Sequence, residues 1–359
     1  GNITITASVS DAAGNAATQA SKTITLDDTS ATVTGVSASD IANGSYNAGT
    51  VIPIEVTFSE VVNVTGTPQL KLETGGTDRL VNYKSGSGTD VLVFEYTVQD
   101  GDTSGDLNYH ATSPLTLNGG TINDVSGNTA TLDLASSGAS GALNNAKALV
   151  IDTTVPTVSI ASTLEGDNIV NAAEDDTVVI SGTTSGIADG GVVTVTFTDG
   201  TTTITKTDAV ASNAFELTGG QIADISSLKD GSITVTASVS DAAGNAAVAA
   251  SRTLTLDKVN PQVSIDTTLE VDNIINNAEE GTVVVTGTSA GAVGQTVTIS
   301  ADDSVSGGAI SATGTIQTDG TYSVTLPSMA SGFVDGNITI TASERDAVGN
   351  AATQASKTI

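Results

Sequence analysis

"GSITVTASVSDAAGNAAVAASRTLTLD" (Gly231–Asp257) is two alternating runs around an acidic tip. Ile, Val, Thr and Leu recur at every other position on both sides of the tip, the period of a strand with one buried face. Between them, "DAAGN" supplies Asp, Gly and Asn, the residues that close tight turns, and Gly244 with Asn245 interrupts any helix the alanines could start. The stretch therefore predicts an antiparallel hairpin with a short acidic loop at its end.

The same hairpin occurs three times. "GNITITASVSDAAGNAATQASKTITLD" (Gly1–Asp27) and "GNITITASERDAVGNAATQASKTI" (Gly336–Ile359) differ from each other only at Val9/Glu344, Ser10/Arg345 and Ala13/Val348 over their shared length. A second repeat precedes two of the copies: "PTVSIASTLEGDNIVNAAEDDTVVISG" from Pro156 and "PQVSIDTTLEVDNIINNAEEGTVVVTG" from Pro261. These define units 153–257 and 258–359, each of domain size. Residues 28–152 form a longer, divergent unit ending in "KALVID", and residues 1–27 are expected to be the last strands of a truncated unit. Short alternating strands between Gly-, Asp- and Asn-rich turns, in units of about 100 residues, predict an all-β chain of tandem Ig-like Greek-key β-sandwiches, arranged as an extended rod. Pro156 and Pro261 fall at the opening strands, where an edge tolerates a missing donor.

Composition narrows the function. Forty acids against eleven Lys and Arg give a net charge of -29, and the acids are scattered singly among Thr, Ser, Gly and Asn. Such a chain is expected to avoid nucleic acid and anionic membranes and to attract divalent cations. With no cysteine and one histidine, thiol chemistry, disulfides and Cys/His zinc sites are excluded. No apolar run reaches the length of about 20 residues that a membrane span needs.

Strand parity places the acidic loops. A seven-stranded antiparallel sandwich receives the chain at one pole and releases it at the other. The loop after the first strand then lies at the outgoing pole, and the "DxxGN" loop before the last strand lies at the incoming one. Stacked end to end, consecutive units bring together the first loop of one, the Asp ending its last strand, and the "DxxGN" loop of the next. At one junction these are Glu165 and Asp167, with Asn171 and Glu174 beside them, then Asp257, then Asp346 and Asn350. At the junction before it they are Asp40, Asp152, Asp241 and Asn245. Glu270 and Asp272 would face a following unit, and Asp27, Asp124 and Asn128 the preceding one. Converging carboxylates repel by a few kcal/mol per close pair. A Ca²⁺ ion reverses that sign by taking six to eight oxygens, whereas Mg²⁺ demands a stricter octahedron. Gly14, Gly244 and Gly349 suit the positive φ such loops need.

With "DTTVP" (Asp152–Pro156), the "LExDNIxNxAE" segments from Leu164 and Leu269, and "SDAAGN" in this order, the chain resembles the tandem bacterial Ig-like domains of giant repetitive adhesins. These are type I-secreted surface proteins of Gram-negative bacteria. The resemblance implies inter-domain Ca²⁺ that stiffens an array, an extracellular location at the cell surface, a stalk role in adhesion or biofilm formation, and neighbouring Ig-like domains as partners. Residues 28–152 depart from the pattern: the Asp40 loop lacks the Glu and the "DN", and the linker "DDTSA" lacks the Pro.

Other chemistry has little to build on. His110 is expected at a strand surface, the acids sit in no active-site context, and no enzyme activity is expected. Phe58 and Phe94 are expected to fill the core of 28–152 with the tyrosines half-buried. Two further readings stay open: a self-assembling filament or sheath pairing with other copies, and spacer domains of an extracellular polysaccharide-active enzyme.

Overall fold

The computed structural model describes residues 1–305, 308–330 and 332–359. Contacts divide the chain into two units, Gly1–Val155 with Asp241–Asn245, and Pro156–Ser240 with Ala246–Ile359. Both are built almost wholly of strands.

The first unit opens with the hairpin Asn2–Ala7 and Ala20–Thr25, paired Ile3 to Ile24. Ile233 and Leu254 pair in the same register in the later copy. The environment differs, however: Ile3, Ile5 and Ile24 are 43%, 56% and 43% exposed, whereas Ile233, Val235 and Leu254 are buried. Next comes the sandwich of 28–152, whose main sheet is organised by one long strand, Val51–Thr65. That strand pairs with Val33–Ser37, Thr89–Thr97 and Thr121–Asp124, and its register slips between Thr57 and Val62. A second small sheet sets Leu149–Asp152 parallel to Gly44–Tyr46. Ile52, Ile54, Val56 and Phe58 alternate inward onto Leu92, Phe94 and Tyr96 in one continuous core. Phe58 and Phe94 are buried as expected, but so are Tyr96 and Tyr109, at 2% and 6% exposed. Their hydroxyls find partners, the buried Asp102 for Tyr96 and the partly buried Ala135 carbonyl for Tyr109, which removes the penalty for taking a phenol inside.

In the second unit, residues 156–257 form two facing sheets. Thr157–Ile160, Ser181–Ser185 and Ala214–Glu216 make one. The other runs Ile169–Asn171, Ala250–Asp257, Gly231–Ser238, Val192–Thr198, Thr203–Ala209. The strand count departs from the simple seven. The first strand breaks after Ile160 and resumes at Ile169–Asn171 on the opposite sheet, parallel to the last strand. The break has a local cause: Glu165 and Asn168 adopt φ of 48° and 66°, a left-handed conformation that cannot continue a strand. Asn168 is held there by accepting the Leu164 N–H on its side-chain oxygen at 2.8 Å. Residues 261–359 repeat the plan, with Gln262–Ile265, Val284–Ala290 and Thr321–Thr325 facing Ile310–Thr315, Thr296–Asp302, Thr339–Glu344 and Ala355–Thr358. The cores of the two sandwiches are separate clusters.

One core position differs between them in kind. Where the sandwich of 153–257 buries Val239, the sandwich of 258–359 buries Glu344, 5% exposed. Its Oε1 accepts the Ser289 hydroxyl at 2.6 Å, while its Oε2 is buried without a partner. Burial raises the Glu344 pKa above the ordinary 4.5, partly offset by that hydrogen bond. An acid with a raised native pKa contributes stability fully present below its unfolded value and lost as pH rises through the native one. Glu344→Val is therefore expected to stabilise this sandwich by about 1–3 kcal/mol at neutral pH. Urea unfolding of both chains should show the advantage shrinking as pH falls below the carboxylate range.

Candidate metal centre

Each "DxxGN" loop is closed by its own aspartate. Asp124 Oδ1 accepts the N–H groups of Ser126 and Asn128 at 2.8 and 2.9 Å, and its Oδ2 accepts Asn128 Nδ2 at 2.8 Å. Asp241 does the same with Ala243 and Asn245, Asp346 with Val348 and Asn350, and Asp11 with Ala13 and Asn15. The turn requires glycine at its fourth position, where Gly244 and Gly349 have φ of 92° and 96°. Hydrogen bonding to the charged form, led by the Asn15 side chain, lowers the Asp11 pKa.

The asparagine then reaches outside its loop. Asn128, Asn245 and Asn350 each donate Nδ2 to a backbone carbonyl at the end of an earlier strand: Asp27 at 3.2 Å, Asp152 at 2.9 Å and Asp257 at 2.9 Å. Those three aspartates are themselves fixed alike, each Oδ1 accepting the N–H two residues on, from Thr29, Thr154 and Val259. In the second unit the contact widens, with Asn171 Nδ2 donating to Val348 O at 3.1 Å and Ala172 N–H to Asn350 Oδ1 at 2.8 Å. In the first, a Cβ on Gly244 would come within 3.3 Å of the Asn47 amide, the same approach that Gly349 makes to Asn171. Each asparagine thus clamps its loop to the earlier segment through Nδ2, and Asn350 also accepts through Oδ1.

The expected acids separate into four groups. Asp27 and Asp124 come together, and a third carboxylate, Glu60, joins them, with ligand oxygens of all three within 4.8 Å of one another. Asp124 is 2% exposed. No lysine or arginine pairs with this cluster among the described residues. Burial raises the Glu60 pKa, and the charges of Asp124 and Asp27 raise it further. At Asp124, burial is outweighed by the Asn128 and loop hydrogen bonds, so its pKa falls. Asp152 with Asp241, and Asp257 with Asp346, are each linked through an asparagine but gain no third carboxylate within that spacing among the described residues. Asp40 is exposed on its turn, without a hydrogen bond or ion pair among the described residues.

Glu165 and Asp167 lie in the broken first strand and serve it: Glu165 Oε1 accepts the Val179 N–H, and Asp167 Oδ1 the Ile169 N–H at 2.9 Å. Burial raises the Glu165 pKa, with Glu174 and Asp167 adding like charge against the Val179 hydrogen bond. Glu270 and Asp272 repeat this with Val284 and Ile274. Glu60 was missed because no acidic turn motif marks it: it lies inside the long strand Val51–Thr65, on the same inward face as Phe58 and Val62, and Asp124 pairs opposite Val62 two residues along.

No family model matches the chain, and no curated protein does. Its structure is similar to those of two bacterial adhesins and of a large adhesion protein. A Ca²⁺-stabilised adhesin that helps an Antarctic bacterium reach out and bind ice is 24% identical, over 99% of this chain and 81% of that one, with a TM-score of 0.46. The tetra-tandem repeat in the extending region of a large adhesion protein is 24% identical, over 92% and 74%, with a TM-score of 0.29. A 1.5-MDa bacterial ice-binding adhesin is 20% identical, over 90% and 95%, with a TM-score of 0.37. Among the described residues no helix is long and apolar enough to cross a membrane.

Proposed function

We propose that this chain is an extender segment of a secreted bacterial surface adhesin, in which Ca²⁺ held at domain junctions stiffens the array. The observation that carries the reading is the meeting of Asp27, Glu60 and Asp124 with no cationic side chain paired to them among the described residues. Three carboxylates so close repel one another, and the charges of Asp124 and Asp27 add to the burial that raises the Glu60 pKa. A hard divalent ion that prefers oxygen removes it, and Ca²⁺ tolerates the irregular shell such a set offers better than Mg²⁺. Asp27 follows the hairpin and Glu60 and Asp124 belong to the next sandwich, so one ion ties two elements of the first unit.

The asparagine clamps complement this role by fixing each terminal aspartate and each loop before an ion arrives. At the other junctions Ca²⁺ would draw on Asp152 with Asp241 and on Asp257 with Asp346, completed by water. Glu165 and Asp167, and Glu270 and Asp272, offer further carboxylates. An extracellular location at the cell surface, non-enzymatic function, and adhesion or biofilm formation follow from the resemblance to giant adhesins. Small-angle scattering from excess chelator into millimolar Ca²⁺ tests it: saturable stiffening with Ca²⁺ and not Mg²⁺ is expected, and a profile indifferent to Ca²⁺ would contradict it.

A further inference from the structure

The chain's single histidine does not stand alone on its strand surface. Asn108–Tyr109 pairs with Gln69–Glu73, Asn108 opposite Glu73, and the His110 N–H continues the ladder onto Lys71 O at 2.9 Å. On the other side of Gln69–Glu73 lies Arg79–Ser85, with Leu72 opposite Arg79, which brings Asp78 level with Glu73. Three neighbouring segments thus deliver Glu73, Asp78 and His110 to one place, their ligand atoms all within 4.8 Å of each other. The set differs chemically from the junction cluster because one donor is an imidazole nitrogen.

Two details orient it. His110 Nδ1 lies 3.2 Å from both the N–H and the carbonyl oxygen of Thr112, while Nε2 faces Asp78 Oδ2 at 3.7 Å. In one tautomer Nδ1 accepts the Thr112 N–H and Nε2–H faces Asp78; in the other Nδ1–H donates to the Thr112 carbonyl and the Nε2 lone pair faces the carboxylates, and a bound cation selects the second. A backbone carbonyl behind a ligating histidine is a common way to fix that tautomer. The second detail is Lys71, whose Nζ sits 2.8 Å from the same Asp78 oxygen. Its hydrogen bond leads the lowering of the Asp78 pKa. The cluster's negative charge is therefore already answered by one partly exposed ammonium.

We propose that Glu73, Asp78 and His110 form an open three-ligand site for a borderline transition cation of the Zn²⁺ class, with water completing the shell and Lys71 displaced on binding. One nitrogen and two carboxylates suit such an ion, whereas Ca²⁺ and Mg²⁺ favour all-oxygen shells. The site is independent of the Ca²⁺ reading, since it shares no residue with any junction.

Calorimetric titration of the full chain with ZnCl₂, in excess Ca²⁺ to fill the carboxylate-only sites, tests it. One saturable Zn²⁺ site is expected, weakened at least about tenfold by His110→Ala or Glu73→Gln. Lys71→Met, which removes the competing ammonium, is expected to tighten it. Co²⁺ in place of Zn²⁺ should give a visible absorption that His110→Ala abolishes, and circular dichroism confirms that each variant is folded. A wild-type chain without saturable Zn²⁺ binding, a His110→Ala chain that binds as well as wild type, or a weaker Lys71→Met would overturn the proposal.

Discussion

Asp102→Ala is expected to cost the sandwich of 28–152 about 3–5 kcal/mol, as removal of one partner from a buried ion pair does. Asp102 is 1% exposed and fully engaged. Its Oδ1 accepts Arg79 Nε at 2.7 Å, and its Oδ2 accepts the Tyr96 hydroxyl at 2.7 Å and the Gln99 N–H at 3.0 Å. Truncation would leave the Arg79 guanidinium, the Tyr96 phenol and a backbone N–H without their acceptor at once. Burial, followed by the hydrogen bond and charge of Asp102, raises the Tyr96 pKa, so the phenol stays a neutral donor. Tyr46, Tyr83, Tyr96 and Tyr109, four of the five tyrosines, lie in this sandwich, so urea unfolding followed by tyrosine fluorescence reports on it. A midpoint unchanged from wild type would mean that the network contributes nothing net.

Gly287→Ala is expected to cost the sandwich of 258–359 about 3 kcal/mol, at the upper end for forced overpacking. A Cβ there would collide with the Ser264 carbonyl oxygen and lie 2.6 Å from Tyr322 Cζ. Relief by moving the ring is blocked, because Tyr322 is 2% exposed and donates its hydroxyl to Ser264 O at 2.7 Å. Relief by moving the backbone would break the pairing of Ile265 with Gly287. Gly182 is built the same way, its added Cβ meeting the Ser159 carbonyl and lying 2.6 Å from Phe215 Cζ. Hydrogen exchange across Val284–Ala290 should accelerate in Gly287→Ala, and unchanged protection would show that the sheets can spread at low cost.

Much of the fold was legible because strand period and turn chemistry agree in each repeat. "GVVTVTFT" buries Val193, Val195 and Phe197 and turns Thr194, Thr196 and Thr198 outward, as alternation requires. The opening prolines likewise sit one residue ahead of Thr157–Ile160 and Gln262–Ile265. Less visible was whatever depends on backbone departures from that period. The jump of the first strand to the opposite sheet rests on left-handed Glu165 and Asn168, residues without glycine's freedom. Nor does anything local announce Glu60, which sits inside the long run Val51–Thr65 on the face of Phe58 and Val62 and meets Asp27 and Asp124 only in the fold.

Side-chain roles were legible in proportion to how local they are. "DxxGN" announces its own turn, since Asp346 binds N–H groups two and four residues along. That Asn350 would donate to Asp257, 93 residues earlier, depends on how consecutive sandwiches meet and has no local signal. In "GDTSGD" (Gly101–Asp106) the sequence leaves Asp102 open between a turn and a calcium loop, and only the strand carrying Arg79 shows it to be the buried acceptor of an ion pair.

The central claim is that Asp27, Glu60 and Asp124 hold Ca²⁺ as a set, and Glu60→Gln isolates it without touching the asparagine clamp. Calorimetric Ca²⁺ titration of the wild-type and Glu60→Gln chains, both checked for native circular dichroism, measures it most directly. The account predicts that the variant loses one Ca²⁺ per chain, or binds it at least about tenfold more weakly, while the remaining heat is unchanged. Identical isotherms for the two chains would contradict it and leave these positions tied by hydrogen bonds such as the asparagine clamps and the Ser126 hydroxyl on Asp27.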